Sequence, residues 1–152
     1  MNKDALRVIK DLTRCSSIVG KPWAIEPDLE SGPESFKGII LGTVDSPIWG
    51  SIFYFNLQID PEKLSEPPKI AFSNFSYHPY IEPIYRIFCF PPSTFSLSSR
   101  MDMELFLDEF VNMFLLKIPF TYAINIDAAK NFWESPDKFW SIVRSKANSG
   151  LK

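Results

Sequence analysis

Apolar and polar positions change period along this chain, and the changes divide it into elements. Within the first fifteen residues Leu6, Val8, Ile9 and Leu12 fall at helical spacing, which predicts a helix running to about Cys15, with Asp4 as its cap. The period then shortens to two. Lys21–Pro27, Phe36–Val44 (FKGIILGTV) and Gly50–Ile59 (GSIFYFNLQI) read as extended segments. In the last of these Ile52, Tyr54, Asn56 and Gln58 alternate with Phe53, Phe55, Leu57 and Ile59, which predicts a strand buried mainly on one face. Asp45, Ser46, Pro47 and Gly50 make the turn before it. Lys69–Phe72, just after Pro67 and Pro68, reads as a fourth strand. Strands joined in sequence by short turns predict an antiparallel meander.

The second half changes character. Ser76–Ser99 is rich in proline and has little periodicity, so it reads as a long ordered loop, a feature that often carries function. Met101–Leu116 reads as a helix with Leu105, Phe106, Val111, Met113 and Phe114 available to pack. Asp127–Phe132 starts another, and Pro136–Ala147 a last one, with Ser135 as N-cap and Pro136 at the first helical position. The order of helix, four strands, long loop and two to three C-terminal helices predicts one α+β domain over residues 1–152.

Composition fits a packed domain. Of the 152 residues 45% are hydrophobic and 22% charged, which excludes a disordered chain. The 14 phenylalanines suit a core rich in aromatic rings. A net charge of −2 offers no footprint for nucleic acid. No run of 18 apolar residues is present, so no membrane-spanning helix is expected. The N-terminal segment lacks the apolar core of a signal peptide. Cys15 and Cys89 have no metal-ligand spacing, and a reducing intracellular compartment, cytoplasmic or within an organelle, is the expectation. No glycine-rich phosphate loop and no Cys/His cluster is found, so no metal, nucleotide or organic cofactor is expected.

The motifs along this frame resemble those of ubiquitin-conjugating enzymes. Asp45-Ser46-Pro47-Ile48-Trp49-Gly50 resembles the family's SPY-x-G hairpin, and Pro67-Pro68-Lys69-Ile70-Ala71-Phe72 its PPKV-x-F strand. Tyr77-His78-Pro79 resembles the start of its His-Pro-Asn motif, and Ile124-Asn125-Ile126-Asp127-Ala128-Ala129 its LNPEAA helix start. Phe139 falls where an aromatic recurs in the family's last helix. The resemblance covers essentially the whole chain and implies the ubiquitin-conjugating (UBC) fold.

The same resemblance places the chemistry and the departures from it. In the family the Asn after His-Pro supports the oxyanion formed when a lysine attacks a thioester. Here that position is Tyr80. Losing one oxyanion donor typically costs about 2.7–4 kcal/mol. The family's cysteine aligns with Phe88, one residue before Cys89. Cys89 is therefore either a thioester-forming nucleophile or an inert thiol packed between Phe88 and Phe90. His78, the single histidine, is either a catalytic base or a structural residue before proline, and the resemblance favours the second. The segment Ile81–Ile87 lacks the family's Asn-Gly turn and offers no glycine for a positive φ. Leu97 stands where the family carries Trp, Ser65 where an exposed aromatic is expected, and Ser98-Ser99-Arg100 replaces a Ser-Pro-Ala type loop. These changes weaken the case for an ordinary RING-ligase partner. His78-Pro79-Tyr80-Ile81-Glu82-Pro83 also resembles the HPLVDP of the Fused Toes family, inactive variants that bind Hook-type adaptors of microtubule motors.

Together these features imply a non-catalytic UBC-like module that binds proteins: ubiquitin, an active conjugating enzyme, or the subunits of a larger complex. The alternative is a divergent conjugating enzyme charged with ubiquitin, or a ubiquitin-like protein, at Cys89. Trp23, Trp49, Trp133 and Trp140 are candidate contact residues if they are exposed, and core residues otherwise.

Overall fold

In the computed structural model, which describes residues 2–91, 101–117 and 122–147, helix α1 (Lys3–Cys15) opens the chain. Its buried stripe is Ala5, Val8, Leu12 and Cys15, spaced three or four residues apart, while Leu6 lies outside that stripe and is exposed. Asn2, not Asp4, caps it: the Asn2 side-chain oxygen accepts from Ala5 N at 2.7 Å, and its amide donates to the Pro61 carbonyl. Asp4 sits in the first turn, where its charge still suits the helix dipole.

Four strands follow as an antiparallel sheet in the order β1 (Trp23–Pro27), β2 (Ser35–Leu41), β3 (Ile52–Gln58) and β4 (Lys69–Phe72). The meander is the expected one. The register pairs Ile39 with Tyr54 and Leu57 with Ile70. Along β3 the odd-numbered Phe53, Phe55 and Leu57 are buried, while Tyr54, Asn56 and Gln58 face out. Gly38 is required on the inner face, because a β-carbon there would run into the Phe55 ring. The expected strand to Val44 stops at Leu41. Gly42 instead exchanges backbone bonds with Ser51 and Gly50, and Gly50 takes a φ of +82°. That hairpin leaves Val44 and Trp49 exposed.

Helix α2 (Met103–Phe114) is capped by Asp102, whose carboxylate accepts from Glu104 N. It lays Phe106, Phe110 and Phe114, one on each turn, into the core. Phe110 meets Phe55 edge-on at 5.3 Å, and Phe114 stacks on Phe72 at 5.4 Å. Leu107 shares this burial, whereas Leu105, expected to pack, is exposed. Trp23 is buried with its indole N–H donating to Asp108 at 2.9 Å, so its one polar atom is satisfied.

Helices α3 (Ile126–Glu134) and α4 (Pro136–Lys146) form a pair joined at Ser135. Phe132, Phe139 and Trp140 pack edge-on between them. Pro136 opens α4 as expected, but the Ser135 side chain makes no capping bond. Of the four tryptophans Trp23 and Trp140 belong to the core, and Trp49 and Trp133 are exposed.

Candidate functional site

The segment after β4 is more ordered than a bare loop. Ala71 bridges to Ile87, and Ile81 to Phe88, so residues 80–89 fold into a small hairpin whose second arm borders β4. Phe88 N donates to the Ile70 carbonyl, and Phe72 N to the Arg86 carbonyl, both at 2.8 Å. No glycine is needed at its tip. Arg86 itself takes the positive φ, +61°. The Glu82 carboxylate accepts from Ile84 N and Tyr85 N, each at 2.7 Å, and Arg86 Nε donates to the Phe72 carbonyl. These bonds offset the cost of a left-handed arginine. The expectation that a missing glycine would prevent a tight turn is therefore corrected, and Ile84 and Tyr85 stand exposed at the tip.

His78 is fully buried and both ring nitrogens are occupied. Nε2 lies 2.7 Å from the Phe114 carbonyl and Nδ1 accepts from Tyr80 N at 3.0 Å. The neutral ring with its proton on Nε2 satisfies both partners. The imidazole also stacks on the Phe114 ring, 4.8 Å away and 11° from parallel. Burial lowers its pKa to about 4, the Phe114 carbonyl opposing the shift. No lone pair is left to take a proton from a substrate, so His78 acts here as a latch between its turn and the end of α2.

Pro79 is buried, and its carbonyl accepts from Ile124 N at 2.9 Å and Asn125 N at 3.0 Å. Asn125 caps α3 through Ala128 N and donates its amide to the Ser76 carbonyl. Asn131 donates to the Tyr77 hydroxyl, and Tyr77 stacks on Phe139. Three of the motifs singled out in the sequence thus converge: the His-Pro turn, the start of α3, and Phe139. The role of Asn125 in joining them was not anticipated, although an Asn before Asp-Ala-Ala is a legible capping signal.

Tyr80 follows Pro79 with its ring turned inward. It is 5% exposed and packs against His78 and Phe88, and burial raises its pKa. Cys89 lies opposite it, its backbone N–H donating to the Tyr80 carbonyl at 2.7 Å. The thiol is half-buried and donates to the Ile87 carbonyl at 3.6 Å. Burial raises its pKa, the Glu82 charge raises it further, and a hydrogen bond from the Glu82 backbone opposes both. Phe88, at the aligned position, is buried in the core.

Pro47 and Gly50 shape the hairpin between β2 and β3, where the Pro47 carbonyl accepts from Arg144 of α4. Pro68 is buried and Pro67 half-buried before β4, and Ser65 is exposed. Leu97 and Ser98-Ser99-Arg100 lie outside the described residues. Among the described residues no three His, Cys, Asp or Glu side chains gather as metal ligands, and no helix is long and apolar enough to cross a membrane.

No family model matches the chain, and no curated protein matches it. Its fold is similar to that of a candidate ubiquitin conjugating enzyme from Plasmodium yoelii, known from a crystal structure. The TM-score is 0.74, at 18% sequence identity over 98% of this chain and 96% of that one. With the element order, the meander and the converging motifs already described, this likeness shows that the chain has the UBC-like α+β fold.

Proposed function

We propose that this chain is a non-catalytic UBC-like module that binds proteins and serves as a ubiquitin-conjugating enzyme variant or as a subunit of a larger assembly. The observation that carries the reading is Tyr80. At the position where the resemblance expects an oxyanion-supporting Asn, its ring is buried against His78 and Phe88 instead of facing the thiol's surroundings. Oxyanion support requires a donor aimed at the developing charge. The raised pKa of Cys89 supports the same reading, since the thiolate is the nucleophile, and so does the local likeness to the inactive Fused Toes proteins. Partners under this reading are ubiquitin, an active conjugating enzyme, or neighbouring subunits.

The alternative, a divergent enzyme charged at Cys89, is favoured by one observation: the thiol is half-exposed rather than sealed in the core. A charging reaction with activating enzyme, ATP and ubiquitin, resolved on a non-reducing gel, separates the two. The expected outcome is no adduct, with ubiquitin-like proteins also tried. A reducible adduct lost in Cys89→Ser would establish the alternative and overturn the proposal.

A further inference from the structure

The hairpin that carries Cys89 also carries a carboxylate fixed beside it. Glu82 N donates to the Ile87 carbonyl at 2.9 Å and Cys89 N to the Tyr80 carbonyl at 2.7 Å, so these residues form two rungs of one antiparallel ladder. Between the rungs Ile81 and Phe88 pair and are buried. Side chains alternate across a ladder, which puts Glu82 and Cys89 together on the opposite face, at diagonal positions. The Ile87 carbonyl that takes the Glu82 N–H also takes the thiol proton, at 3.6 Å. The Glu82 carboxylate is not free to swing away, because Ile84 N and Tyr85 N each hold one of its oxygens at 2.7 Å.

We propose that Glu82 is a positioning residue that holds Cys89 in its protonated, unreactive form, and that a lysine or arginine of a docking partner, by pairing with Glu82, would release the thiolate. The geometry suits this role because one residue acts twice on the sulfur. Its backbone N–H stabilises the anion, while its carboxylate, fixed by the turn, destabilises it. Neutralising the carboxylate leaves the stabilising half in place. Glu82 is the charged side chain that acts on Cys89 among the described residues, and the other titratable neighbour on that face is the Tyr80 phenol. The proposal goes beyond the binding-module reading and holds whether or not ubiquitin is ever accepted, since it concerns the thiol in the free protein.

The test is alkylation by iodoacetamide, a neutral reagent from which the thiolate sulfur displaces iodide, followed by mass spectrometry at each cysteine. Buried Cys15, its pKa pushed up to about 11 chiefly by burial, serves as the internal reference. Glu82→Gln keeps a side-chain oxygen for the turn and removes the charge. It is expected to react at Cys89 roughly threefold faster at neutral pH, with the pH profile moved to lower pH, as for loss of one solvent-screened like charge. In the unsubstituted protein Cys89 is expected to react faster as salt rises from about 0.02 to about 0.5 M, because the field of Glu82 is screened, and this dependence should vanish in Glu82→Gln. An unchanged pH profile in a folded Glu82→Gln would overturn the proposal. If that variant does not fold, the salt profile of the unsubstituted protein decides alone, and a flat profile rejects the role of Glu82.

Discussion

Acidification from pH 7.5 to pH 5 should weaken this protein through one group. His78 is the single histidine of the chain, fully buried, with a folded-state pKa lowered to about 4 from 6.5. The unfolded chain therefore binds a proton in a range where the folded one refuses it. Stability contributed by the neutral ring is complete above about pH 6.5 and falls as pH drops toward 4, below which the loss levels off. The full difference corresponds to about 3 kcal/mol, of which about 2 kcal/mol is already lost at pH 5. The structural cause is plain: a proton on Nδ1 removes the acceptor for Tyr80 N and puts a charge against the Phe114 ring. Asp45, whose pKa is lowered mainly by its bond from Thr43, acts only below this window, because an unfolded aspartate titrates near 3.8. Urea titrations at the two pH values test the claim. With a slope of about 2 kcal/mol per molar, the midpoint should fall by about 1 M. His78→Asn should start from a lower midpoint and show little change between the two pH values. An unchanged midpoint in the unsubstituted protein, or an NMR titration placing His78 near 6.5 in the folded state, would refute the reasoning.

Two further outcomes follow from the packing. Asn2→Ala should cost about 1 kcal/mol in urea unfolding, while Asp4→Ala should cost less, which distinguishes the observed cap from its neighbour. Phe114→Ala removes the ring shared by Phe53, Phe72 and His78 and should cost about 3–5 kcal/mol, with a near-full loss of folded signal at 37 °C; a cost below about 1 kcal/mol would show that this ring is not central to the core.

Where one face of an element is buried, the sequence was readable. The alternation along Ile52–Gln58 and the stripe from Ala5 to Cys15 are direct records of which side meets the core. Where a long-range partner decides, it was not. Asn2 and Asp4 are both good caps, and what favours Asn2 includes its bond to Pro61, remote in sequence. Val44 suits a strand, yet the close approach of Gly42 to Ile48 ends the strand earlier. The motifs of the candidate site were visible one by one, but not the bond that joins His78 to Phe114, 36 residues away. The turn at 82–86 was misread for a different reason. A search for glycine overlooked that a glutamate can hold a turn through its own carboxylate.

The latch between His78 and the end of α2 also bears on the order of assembly during synthesis. The sheet can pair as soon as Phe72 has emerged, since its strands are consecutive and joined by short connections. The turn at His78-Pro79 cannot close then. Its three anchors, the Phe114 carbonyl and the amides of Ile124 and Asn125, are made 36 to 46 residues later. Until they leave the ribosome the hairpin bearing Cys89 remains tethered only at its β4 border, with Phe88 lacking the Phe110 ring that covers it. The candidate site is therefore the last part of the nascent chain to take shape, and a polypeptide truncated before Asn125 should hold its meander without a formed site.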